Sequence, residues 1–159
     1  MSLDLREFRR SGGKLILWHG WDDQSIPAVG TLDYYRRLWE RNGGLRRTQE
    51  WARAFMVPTL HHCGLNGGYR LSRFNPFSEL VAWVERGRAP ERVVATGTSP
   101  AQTPRTRPVF PYPARAVYDG SGSIDDASNF VRARPRVPPH DTIDWAGTYL
   151  HRIPGPVAR

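Results

Sequence analysis

Two short stretches hold the side chains that could do chemistry. The first is His19-Gly20-Trp21-Asp22-Asp23, and the second is Pro58-Thr59-Leu60-His61-His62-Cys63-Gly64. Histidine titrates near neutrality and is the usual general base. A carboxylate beside it fixes its tautomer and stabilises the imidazolium that forms. Two histidines and a cysteine in a row also raise the question of zinc. Adjacent side chains cannot converge on one metal, and no second Cys/His cluster completes four ligands, so the spacing argues against a metal site. Each residue also has a plainer reading. An Asp after a strand often turns the chain or caps a helix, and a loop histidine is often an ordinary surface residue.

The elements around these stretches decide how the side chains are held. Lys14 to Trp18 is a continuous apolar run behind Gly12-Gly13, which reads as a buried strand of a parallel sheet. In open α/β sheets, catalytic and binding groups gather just past the carboxyl ends of the strands, and His19, Asp22 and Asp23 stand there. Pro27 suits the start of a helix. From Ala28 to Asn42, Val29, Leu32, Tyr35, Leu38 and Trp39 recur at helical spacing, with Arg36, Arg37, Glu40 and Arg41 on the wet face. Gly43-Gly44 stops that helix. Arg53 to Val57 reads as a second buried strand or a short helix, and the histidine loop follows it directly. Strand and acid loop, helix, strand and histidine loop is the order in which α/β-hydrolases present the last two members of a triad. Before the first strand, Leu3, Leu5 and Phe8 look like the last turns of a helix.

The 159 residues carry 23 Lys and Arg against 15 Asp and Glu, a net charge of +8. Lys14 is the only lysine. The arginines are scattered as single residues or pairs, such as Arg9-Arg10, Arg36-Arg37 and Arg46-Arg47. A nucleic-acid partner needs a clustered basic face, so none is expected. No apolar segment is long enough to span a membrane, and no signal-peptide pattern opens the sequence. With 15 Gly and 14 Pro, the core is expected in the first two thirds, where the apolar periodicity lies. Cys63 is the only cysteine. It reads as a small buried hydrophobe or as an orphan whose partner lies outside the chain.

Several ordered motifs carry a family resemblance. Gly13-Lys14-Leu15-Ile16-Leu17, His19-Gly20-Trp21-Asp22-Asp23 and Ile26-Pro27, continued by Tyr34-Tyr35, resemble the GGKLI…HGWxDxxIP block of the tannase and feruloyl esterase family. Phe55-Met56-Val57-Pro58 with His62-Cys63-Gly64 resembles its MVPGMxHC block. Leu80-Val81-Ala82-Trp83-Val84-Glu85, Gly87 and Ala89-Pro90 resemble a helix end, LxxWVExGxAP. Arg105 to Pro108, Pro111-Tyr112-Pro113, Tyr118, Gly120-Ser121-Gly122 and Asn129-Phe130 resemble its tail. The resemblance runs from Leu3 to Val131.

It implies the carboxyl-terminal part of an α/β-hydrolase fold, the last strands and helices of a mostly parallel sheet. It also implies hydrolysis of galloyl or hydroxycinnamoyl esters by a Ser-Asp-His triad. Asp23 matches the catalytic Asp and His62 the catalytic His, with His19 in support. Asp22 takes the variable position. Cys63 matches a cysteine that in the family bonds to one beside the nucleophilic serine. No cofactor is implied for this portion, because the family's calcium belongs to a lid domain inserted before the Asp. Family members are usually secreted or periplasmic.

The sequence departs from the family in three places. It holds no Cys-Ser-x-Gly-Gly and no Gly-x-Ser-x-Gly, and it lacks the lid. Ser121 and Ser123 sit in what reads as a flexible tail. Phe110 stands where many members have Cys, and no cysteine follows Asn129-Phe130, so the tail disulfide is lost at both ends. Thr59-Leu60 replaces the usual Gly-Met before the histidine.

The expectation is therefore an esterase fragment over residues 1–131. It would be a truncated gene model, a split gene completed by a partner polypeptide with the nucleophile, or a degenerate remnant, and alone it would expose one sheet edge. The alternative is an inactive remnant or interaction module derived from the same fold. Phe74, Phe77, Leu80, Val81 and Val84 are expected as the helical stripe that packs on the sheet. Thr96 to Pro113 is expected as an extended surface strap. Residues 132–159 are expected as a poorly ordered Pro/Arg-rich tail in which Ile143, Trp145, Tyr149 and Leu150 could form a docking helix. His140 and His151 have no partner that can be argued.

Overall fold

The apolar runs and the amphipathic stretch between them form a strand–helix–strand unit. In a computed structural model, which describes residues 2–62 and 71–135, α1 (Arg6–Arg10) is followed by β1 (Leu15–Gly20), α2 (Ala28–Arg41), the short α3 (Leu45–Thr48) and β2 (Ala52–Val57). β1 and β2 pair in parallel, in register from Leu15 opposite Ala52 to Gly20 opposite Val57. The parallel sheet expected from the sequence is thus met by two strands, and the open choice at Arg53–Val57 resolves as strand. All six residues of β2 are buried, as a strand covered on both faces requires.

Alternation along β2 sends side chains to two cores. On one face Ala52 and Ala54 meet Tyr35 and Leu38 of α2, together with Trp51. The Tyr35 hydroxyl donates to the Ala52 carbonyl at 3.0 Å, so the ring is packed and its polar tip satisfied; burial pushes the pKa of that phenol well above its usual value. On the other face Phe55 and Val57 join Leu60, Leu71, Phe74, Val93, Ala95 and Val109. Arg53 points to this second side. It reaches the Pro90 carbonyl at 2.7 Å and Glu91 at 2.8 Å, and lies 5.4 Å from the Trp83 ring centre.

β3 (Leu71–Arg73), β4 (Val93–Thr98) and β5 (Pro104–Val109) form an antiparallel sheet in the order β3-β4-β5. β6 (Arg115–Tyr118) and β7 (Phe130–Ala133) form an antiparallel pair. The run from Thr96 is therefore extended, as expected, but it is no simple strap. It pairs over residues 104–109 with β4 and buries Pro108, Val109 and Pro111. The Gly120–Ser123 segment is not a loose tail either. It is the turn region between β6 and β7, held by Ser121 N–H and hydroxyl on Asp119 and by the Tyr118 hydroxyl on the Gly122 carbonyl.

The helix α4 (Phe77–Arg86) corrects the expected stripe. Phe77 and Val84 are 66% and 59% exposed, whereas Trp83 is 2% exposed. Trp83 buries more apolar area than either, and its ring faces Lys14 and Arg53, so the helix turns its indole inward. Phe74 lies before the helix and packs against Trp18 and Phe55. Gly87 ends α4 in the left-handed region at φ 67°, with its N–H on Trp83 and that of Arg88 on Ala82, a glycine C-cap.

β7, Phe130–Ala133, runs across the expected boundary at Val131. Cys63, His140, His151 and the expected docking helix lie outside the described residues. No helix among the described residues is long and apolar enough to cross a membrane.

Candidate active site

Past the ends of β1 and β2 the backbone itself continues the parallel ladder. Trp21 N–H donates to the Val57 carbonyl at 2.9 Å, and Asp22 N–H donates to the Leu60 carbonyl at 3.2 Å. The acid loop and the histidine loop are thereby stitched together. Gly20 sits at the join, where any Cβ would overlap the Leu60 carbonyl oxygen. Only glycine permits that approach.

The Asp23 carboxylate is held by four donors. Oδ1 accepts from the N–H groups of Ser25 at 2.9 Å and Ile26 at 2.8 Å, the local turn that Asp side chains favour. Oδ2 accepts from His62 Nδ1 at 2.9 Å and faces His19 Nε2 at 3.0 Å. The carboxylate is only 7% exposed. That burial alone would raise its pKa; the Ile26 N–H, His62, the Ser25 N–H and His19 outweigh it and hold the group well below the usual carboxylate range. Asp23 therefore stays ionised at neutral pH.

His62 donates from Nδ1 to Asp23, so its proton sits on Nδ1 and Nε2 carries the lone pair. Its side chain is 39% exposed. A histidine anchored on one nitrogen by a buried carboxylate, with part of its ring open, has the geometry of a general base. The neighbouring His61 instead faces Gln24 Oε1, at 3.2 Å from Nδ1. Asp22 is exposed, and it is Asp23 that reaches His62. Residue types alone did not separate Asp22 from Asp23 or His61 from His62; the parallel ladder and the turn at Asp23 do.

One participant went unread in the sequence. Thr31, in the first turns of α2, lies 2.7 Å from His19 Nδ1 through its hydroxyl. Thr31 falls on the inward stripe with Ala28, Tyr35 and Leu38, and a polar residue on an apolar stripe needs a partner. That spacing was the available signal.

The histidine loop carries a local cost. Thr59 has φ 55°, a left-handed conformation that β-branched residues avoid. Glycine, which the resembled motif carries at this position, would adopt that conformation without the penalty. In this chain the Thr59 hydroxyl accepts the Leu71 N–H at 3.1 Å, which partly offsets the strain. Beside the two loops lies a cleft of about 350 Å³, lined by Trp21, Met56, Pro58, Phe110, Tyr112 and Phe130 among others. Asp23 and His62 are not part of its lining. Among the described residues no group of three His, Cys, Asp or Glu could hold a metal ion.

Comparison with known proteins places the chain in a family. The family described as tannase and feruloyl esterase matches residues 1–133. The chain belongs to the tannase and feruloyl esterase family. Within it, the chain is 44% identical over 137 residues to a mono(2-hydroxyethyl) terephthalate hydrolase from Piscinibacter sakaiensis, covering 84% of this chain and 22% of that protein. It is 34% identical over 133 residues to a probable feruloyl esterase from Arthroderma benhamiae, covering 82% and 25%. Among solved structures, an esterase from Aspergillus oryzae superposes with a TM-score of 0.70 at 29% identity, covering 83% of this chain and 29% of the other. The chain thus spans about a quarter of the length of these relatives. The fold expectation of an α/β esterase is met, with a partial sheet. The relatives support ester hydrolysis as the activity of the family to which the chain belongs.

Proposed function

We propose that this chain supplies the Asp–His part of a Ser-Asp-His carboxylic-ester hydrolase for aromatic acid esters. The observation that carries the reading is the 2.9 Å contact between Asp23 Oδ2 and His62 Nδ1, at the carboxyl ends of two parallel strands. In this reading His62 Nε2 takes the proton of a serine hydroxyl as it attacks the ester carbonyl. It then returns the proton to the departing alcohol, and Asp23 stabilises the imidazolium between the two steps. The serine and the oxyanion donors would come from a segment outside this sequence, on the same polypeptide or on a partner. An Asp–His pair without them has little to catalyse.

Family relatives named for terephthalate and feruloyl esters support an aromatic acyl group as substrate. Cys63 would pair with a cysteine beside the serine, and that bond requires an oxidising compartment. The family's calcium would belong to the lid, not to these residues.

The test is hydrolysis of an aromatic methyl ester by the chain alone, and by the chain mixed with the polypeptide encoded just upstream. Activity is expected in the mixture only, and His62→Ala should abolish it. An inactive mixture, or activity untouched by His62→Ala, would leave the inactive remnant or interaction module as the reading.

A further inference from the structure

The carboxylate of Asp23 is clamped by a second histidine, and that histidine is itself held. His19 Nε2 lies 3.0 Å from Asp23 Oδ2 and 3.1 Å from the Ile26 carbonyl oxygen. Both neighbours are acceptors without hydrogens, so Nε2 must carry the proton. On the other side of the ring, Nδ1 lies 2.7 Å from the Thr31 hydroxyl. In a neutral imidazole with its proton on Nε2, Nδ1 is an acceptor, and the hydroxyl must donate to it.

We propose that Thr31 and His19 form a positioning relay behind the Asp23–His62 pair. The Thr31 hydroxyl holds His19 with its proton on Nε2, and that proton clamps the carboxylate oxygen that also receives His62. The functional half of this inference rests on the reading of Asp23 and His62 given above. The relay links the pair to α2, so the helix between the two strands helps to aim the base. It acts on rate through orientation and not on substrate binding. Oδ1 is fixed by the Ser25 and Ile26 N–H groups. Without the relay, Oδ2 would keep only His62, the group it has to orient. The arrangement matches a general pattern in which a functional histidine works through an anchored partner behind it.

The experiment is ¹⁵N NMR of the imidazole side chains in the full 159-residue chain at neutral pH. His19 is expected to show a pyridine-like Nδ1 and a pyrrole-like Nε2. His62 is expected to show the opposite pattern, with a downfield Nδ1 proton. In Thr31→Val, with backbone amide dispersion like the parent, the His19 signals should broaden or average between states and the His62 Nδ1 proton should shift. Thr31→Ser should restore both. In the completed esterase, Thr31→Val should lower kcat about tenfold with KM unchanged, the lower end of the loss seen when metal-ligating histidines lose their outer-shell partner. An Nδ1–H or doubly protonated His19 in the parent would overturn the relay. So would a Thr31→Val chain whose His19 and His62 signals match the parent. If the NMR pattern holds while no mixture hydrolyses esters, the relay stands as structure and the proposed function fails.

Discussion

The two sides of β2 spend their charged residues differently. On the side of β1, Asp23, His19 and His62 share one carboxylate oxygen, and His62 remains partly open to solvent. On the antiparallel side the ion pairs close on each other. Arg105 meets Asp125 at 2.6 Å, Glu91 bridges Arg53 and Arg132, and the Arg107 guanidinium lies 3.9 Å from the Phe130 ring centre. In the second set both carboxylates, Asp125 and Glu91, are taken up by guanidinium groups, so their contribution is to hold hairpins together. A histidine kept on a buried carboxylate with part of its ring free is the feature that separates a candidate site from ordinary structural pairing.

Three substitutions test that contrast. The largest effect belongs to Asp23→Asn, which keeps the shape of the side chain but removes the charge that orients His62. Ester hydrolysis by the completed enzyme should fall about ten-thousand-fold, while circular dichroism of the chain stays close to the parent. The same variant should change acid stability. The Asp23 carboxyl lies below its ordinary value in the folded chain, against about 3.9 when unfolded. Its stabilising contribution is thus complete above about pH 4 and is lost as pH falls further. Urea midpoints measured across that range should flatten in Asp23→Asn.

Next comes Gly20→Ala, where the new Cβ meets the Leu60 carbonyl. Separating the two loops should cost about 1–3 kcal/mol in urea unfolding and should lengthen the Asp23–His62 contact. The smallest effect belongs to the antiparallel side. Glu91→Gln removes a carboxylate that is 61% exposed and leaves Arg53 its Gln49 and Pro90 carbonyls. It should cost less than about 1 kcal/mol and leave hydrolysis unchanged. A large catalytic loss there would break the contrast.

Local signals made the first half of the chain readable. An apolar run bounded by glycines marked β1, a helical stripe marked α2, and strand order put the acid and histidine loops side by side, while the family resemblance singled out Asp23 and His62 within them. The second half was harder because its partners are distant in sequence. Residues 104–109 look like a Pro/Arg-rich strap until β4 is beside them. The outward face of α4 carries Phe77 and Val84, so counting apolar residues favoured that face over the one with Trp83. Thr31 stands on the readable inward stripe of α2, but its partner does not follow from that spacing, because it depends on the His19 ring lying against the helix. The pairing of Asp23 with His62 was legible in outline, whereas its four-donor geometry was not.

The turn at Asp23 has one more consequence. Because Oδ1 is bound by the N–H groups of Ser25 and Ile26, the rotamer of the carboxylate is set within its own loop. That loop fixes its own end of the carboxylate by itself, while the other oxygen still leans on His19 and α2. His62 has no such self-contained anchor, and its place depends on how β2 and the left-handed Thr59 deliver it. Drift in the surrounding sequence should therefore misalign the base long before it disturbs the acid.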